Sequence, residues 1–114
     1  MNWEIAKQFL LQSIFIGDHI DLTSKYRKVL KKPDGHFDSF RISIGASTHI
    51  NLTLEMLENI FNATIGNQGI YNRSVIYALY PEQVDNHGCH VHVMGCLFVN
   101  AAVMRKEGKN FLNL

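Results

Sequence analysis

The chain is short of the features that would place it quickly. It has only two cysteines, Cys89 and Cys96, and two prolines among 114 residues. A disulfide-stapled secreted scaffold needs more cysteines than that. Charged residues make up 18% of the chain and aromatics 11%, the reverse of the balance that keeps a chain disordered. No stretch reaches the ~18 to 20 apolar residues of a membrane-spanning helix. The longest apolar run, Val91 to Met104, is interrupted by His92 and Asn100. The opening residues Met1-Asn2-Trp3-Glu4 lack the basic start of a secretory signal. Three glycosylation sequons, at Asn51, Asn62 and Asn72, therefore count as chance products of an Asn-rich chain. The expectation is a cytoplasmic protein with free thiols and no membrane partner.

What is present suits one α+β domain spanning residues 1–114. Hydrophobic residues form 46% of the chain, and its length is ordinary for a single domain. Asn2 is placed to cap a first helix, in which Trp3, Ala6, Phe9, Leu10 and Ile14 recur at helical spacing. Gly17 marks its end. Pro33-Asp34-Gly35 is the strongest turn signal, and Phe40, Ile42 and Ile44 alternate with polar residues after it. A hairpin of residues 22–31 and 36–44 follows, although Leu22, Tyr26, Val29 and Leu30 also fit a helix. Thr53 caps a second helix over 54–63, stopped by Gly66-Asn67-Gln68-Gly69. Two further strands are expected at 73–80 and from 89 to about 99. The predicted order is α-β-β-α-β-β, two helices packed on a four-stranded, mainly antiparallel sheet.

Three groups of residues can carry function. On a strand, His90 and His92 share a face, and His87 on the preceding turn adds a third nitrogen. Three such ligands and a water would be a catalytic site for Zn2+ or another divalent metal, with Glu82 and Asp85 as nearby carboxylates. A metal-dependent hydrolase or nuclease is the corresponding function. The tripeptide His90-Val91-His92 resembles the metal motif of the His-hydrophobe-His single-strand DNA endonucleases. That resemblance implies a tyrosine nucleophile, often placed downstream, and no tyrosine follows His92.

The second group is basic. Lys25, Arg27, Lys28, Lys31 and Lys32 supply five of the eleven Lys and Arg residues, with Tyr26 among them. On a hairpin they would face phosphates and offer an aromatic ring to a base, as a nucleic-acid-binding regulator requires. The plainer alternative is a solvated edge whose lysines discourage pairing.

The third group is apolar. A strand from Cys89 to Met104 at ~3.4 Å per residue would outrun a domain of this size. One resolution is projection beyond the sheet, burying Leu97, Phe98, Val99 and Val103 against a second copy. With no complete catalytic constellation, the leading expectation is a non-enzymatic protein-interaction module that self-associates as a homodimer or joins a larger assembly. The cysteines look like small buried hydrophobes rather than nucleophiles.

Overall fold

The computed structural model describes residues 1–114. Asn2 opens helix α1 (Trp3–Ser13) as expected, its side-chain oxygen accepting from Ile5 N–H at 3.0 Å. Trp3, Ala6, Leu10 and the following Ile14 turn inward, whereas Phe9 stays exposed. Lys32 Nζ closes the other end by donating to the carbonyls of Leu11 and Ile14 at 2.7 and 2.8 Å. A cation is favourable at this negative end of a helix.

Strands β1 (Val29–Lys31), β2 (Ser39–Ser43) and β3 (His49–Thr53) form an antiparallel sheet in the order β1-β2-β3. Phe40 pairs with Leu52 and Ile42 with Ile50, so the alternating apolar positions of both strands share the buried face. The expected hairpin exists, with a shorter first arm than 22–31. Backbone bonds from Gly17 N–H to Val29 O and from Ile20 N–H to Arg27 O make residues 17–29 a second small hairpin, whose tip holds residues 21–26. Asp34 shapes the β1–β2 connection through its Oδ1, which accepts from the N–H groups of His36 and Phe37.

Thr53 then caps α2 (Leu54–Gly66), accepting from Met56 N–H at 3.0 Å. The chain continues through β4 (Ile70–Tyr71), α3 (Arg73–Leu79), α4 (Pro81–Asn86), α5 (His90–Asn100), β5 (Met104–Glu107) and β6 (Asn110–Asn113). The last three strands form a second antiparallel sheet in the order β4-β6-β5. The α+β class holds, but there are five helices and two three-stranded sheets instead of two helices and one four-stranded sheet. No helix is long and apolar enough to cross a membrane.

The two expected strands at 73–80 and 89–99 are helices α3 and α5. Asn72 starts α3 by accepting from Ser74 N–H, overriding the strand preference of Val75, Ile76 and Tyr77. Helix α5 lies at the centre, with His90 and every residue from Val93 to Phe98 buried. Rings of α1, α2 and α5 meet there: Trp3 and Phe61 lie 6.0 Å apart, Phe61 and Phe98 6.4 Å. Leu97, Phe98 and Val103 are thus used in the chain's own core, and Val99 is half-buried. This removes the basis for an intermolecular interface at Leu97, Phe98, Val99 and Val103: no strand projects, and the apolar residues already have partners.

Candidate functional site

The helical conformation of α5 redistributes the histidines. Residues two apart on a helix point ~200° apart, so His90 and His92 face different neighbours. His90 is buried, and its Nδ1–H donates to the His87 carbonyl at 2.8 Å. Burial holds its pKa below the ordinary histidine value. His92 turns instead to Asp21, its Nε2–H donating to Oδ2 at 3.1 Å. His87, His90 and His92 therefore do not converge as a three-nitrogen metal site. The likeness to the His-hydrophobe-His endonucleases fails for the same reason, since it needs two imidazoles side by side.

A different trio comes together. Helical spacing of four places Cys96 one turn after His92, on the same side of α5. Asp21, His92 and Cys96 each offer a donor atom, and the three atoms lie within 4.8 Å of one another. Asp21 is fixed at the tip of the 17–29 hairpin, where its Oδ1 accepts from Thr23 N–H at 3.0 Å and Thr23 Oγ1–H at 2.6 Å. The Thr23 hydroxyl is the main reason that its carboxyl lies below the usual range. Asn100 ties the same loop to α5 by donating from Nδ2 to Ile20 O at 2.7 Å and Cys96 O at 2.8 Å.

The Cys96 thiol is pushed up to about 11, chiefly by burial and then by the Asp21 charge; Lys106 and Arg27 act in the opposite direction. It stays protonated near neutral pH, so a Cys96–His92 thiolate pair does not form here. Burial also raises the Cys89 thiol. Neither cysteine meets the low-pKa condition for a nucleophile.

Basic residues flank this site from both sides. The 17–29 hairpin carries Lys25, Arg27 and Lys28 next to Asp21. The β5–β6 hairpin carries Lys106 and Lys109, both exposed, and Arg105, whose Nη1 donates to Glu107 Oε2 at 2.7 Å. Its Phe111 packs its ring against His92, with centroids 5.8 Å apart and planes at 60°, and Lys106 Nζ lies 6.0 Å from the same ring. Arg27 has a positive φ of 83°, rare outside glycine, and its buried Nε has no hydrogen-bond partner. Its Nη1 reaches Ile44 O at 3.4 Å.

The expected basic group is only partly available. Lys25 and Lys28 are exposed, Tyr26 is half-buried, and Lys25 Nζ lies 5.8 Å from the Tyr26 ring. Lys31 sits over Phe37 at 5.0 Å, and Lys32 is occupied at the end of α1. Sequence reasoning missed Arg105, Lys106 and Lys109 because three cations beside a glycine look like any turn. It missed Asp21 because 71 positions separate it from His92.

Charge is segregated elsewhere as well. From α2 through α4, residues 54–86 hold Glu55, Glu58, Glu82 and Asp85 against the single cation Arg73. The near-zero net charge of +1 conceals this asymmetry. Comparison with protein-family models, with curated proteins and with solved structures returned no match.

Proposed function

We propose that the protein is a nucleic-acid-binding module whose contact surface is formed by the 17–29 and β5–β6 hairpins on either side of α5. One observation carries this reading. The His92–Asp21 bond and the Phe111–His92 contact bring two basic hairpins, remote in sequence, to one side of a single helix. Lys25, Arg27 and Lys28 lie on one arm, and Lys106 and Lys109 on the other, beside the Arg105–Glu107 ion pair. Two cationic ribbons suit the phosphate backbone, which supplies most sequence-independent affinity. Helix α4 leads into α5 through the three-residue turn His87-Gly88-Cys89, as short as that of a helix-turn-helix unit. Yet α5 is buried through most of its length and has few side chains free to read base edges. Backbone recognition with little sequence preference follows.

The test is fluorescence anisotropy with a short labelled duplex and the matching single strand over a range of salt concentrations. Binding should weaken steeply with salt. Lys28→Gln and Lys106→Gln should each reduce the slope of log K against log salt by about 1. Absence of binding at low salt, or slopes unchanged in both variants, rejects the proposal.

A second function, self-association, is favoured by Ile5 and Phe9, one turn apart on α1 and 42% and 36% exposed. Here the partner is a second copy of the chain, joined through α1 and not through residues 97–103. Light scattering at micromolar concentration decides it: a 13.0 kDa species throughout rejects the dimer.

A further inference from the structure

We propose that Asp21, His92 and Cys96 form a zinc site that fastens the 17–29 hairpin to α5. The donor set is one carboxylate, one imidazole and one thiol, all types that zinc takes as ligands. A thiolate and an imidazole together favour zinc over magnesium or calcium, which prefer all-oxygen shells. The geometry is close to what coordination needs. The three donor atoms already lie within 4.8 Å of one another, with Asp21 Oδ2 and His92 Nε2 at 3.1 Å. Bond lengths of about 2.0 to 2.3 Å around a tetrahedral zinc place ligand atoms roughly 3.3 to 3.8 Å apart, so the cluster needs to contract by only about 1 Å.

Each ligand is held by a separate support. Thr23 occupies Oδ1 of Asp21 and leaves Oδ2 turned to the cluster. Phe111 packs its ring against the His92 imidazole. Cys96 is buried on the helix one turn beyond His92, and Asn100 bonds both its carbonyl and Ile20, the residue before Asp21. Such supports around a ligand set orient it for metal. Zinc would take the place of the proton on Cys96 Sγ, which passes to solvent, while the ring proton of His92 would move from Nε2 to Nδ1 as Nε2 becomes the ligand. Three protein ligands would leave a fourth position for a water. The site does not depend on nucleic-acid binding, although it would stiffen the arm that carries Lys25, Arg27 and Lys28.

Cobalt(II) added to protein purified without a histidine tag provides the test, since a thiolate ligand gives a sulfur-to-cobalt charge-transfer band. The expected result is a band saturating at one equivalent and displaced by zinc. Cys96→Ser should abolish it, His92→Gln and Asp21→Asn should weaken cobalt binding at least tenfold, and Cys89→Ser should leave both unchanged. Circular dichroism of each variant verifies its fold. Zinc should also raise the melting temperature of the wild type and of Cys89→Ser, and not that of His92→Gln. Absence of a charge-transfer band, or a band that survives Cys96→Ser, overturns the proposal. So does cobalt binding that is indifferent to His92→Gln and Asp21→Asn.

Discussion

Phe111 occupies the space that any side chain on Gly95 would need. A Cβ at position 95 would stand 2.4 Å from Cε2 of that ring and 2.5 Å from Cζ. The ring also contacts Tyr71 at 5.7 Å and His92 at 5.8 Å between centroids. A glycine at the centre of α5 thus seats the second sheet on the helix and supports the His92 side of the candidate site.

Gly95→Ala should therefore destabilise the protein, although alanine is the better helix former by about 1 kcal/mol. Overpacking of this kind typically costs about 1–3 kcal/mol, and the displaced atoms belong to a buried ring with little room to yield. Urea unfolding measures the balance. A variant as stable as the wild type would show that Phe111 repacks freely and has no fixed bearing on His92.

Ala102 ends α5 at a φ of +62°, in the position that glycine normally takes. The Val103 N–H bonds the Phe98 carbonyl and the Ala102 N–H bonds the Val99 carbonyl, both at 2.9–3.0 Å. Alanine in this left-handed region costs roughly 1 kcal/mol. Ala102→Gly should stabilise the fold by about 0.5–1 kcal/mol, the gain being limited by glycine's extra freedom in the unfolded chain. A fall in urea midpoint would contradict the assigned helix end.

This cap also explains why α5 was hard to read from sequence. Helices α1 and α2 were legible because Asn2 and Thr53 precede clear helical stripes, and glycines follow. In α5 no polar face sets a period, because its residues are buried on nearly every side, and no glycine announces its end. Valines at 91, 93 and 99 then weigh toward strand. The length of the run from Cys89 to Met104, too great for one strand of this domain, is the one sequence feature that points away from strand. As a strand, the segment would put His90 beside His92 and hold Cys96 well away from His92; the helix reverses both. The third strand of the first sheet, with Ile50 and Leu52 inward, is too short an alternation to stand out.

Burial of His90 makes stability depend on pH in a defined window. Its folded pKa is depressed, first by desolvation, so between the folded and unfolded values the unfolded chain binds the extra proton. Stability must then rise with pH in that window, and is lost as pH falls from about 6.5 toward the folded value. Urea midpoints measured between pH about 5 and 8 should show this slope, and His90→Gln should flatten it. An equal slope in the variant would move the effect to another group.

Lys28 and Lys32 lie close in sequence, and their substitutions should have opposite consequences. Lys32 Nζ donates to the Leu11 and Ile14 carbonyls at the end of α1 and lies 5.2 Å from the Phe15 ring. Bonds from a charged donor to otherwise unpaired carbonyls contribute about 1.5–3 kcal/mol, and exposure to solvent reduces this. Lys32→Met should lower stability by about 1 kcal/mol or more, through lost capping of α1. Its nucleic-acid affinity and salt slope should stay near wild type, because the ammonium is already turned to the protein. Lys28 is exposed, and only its backbone is engaged, its N–H donating to Ser43 Oγ and its carbonyl accepting from Ser43 N–H. Lys28→Met should leave the urea midpoint almost unchanged while reducing the salt slope by about 1. Paired unfolding and anisotropy measurements on the two variants separate a structural lysine from a phosphate contact. If Lys32→Met weakens binding as much as Lys28→Met does, the basic segment acts as one undivided patch and the two-hairpin surface is wrong.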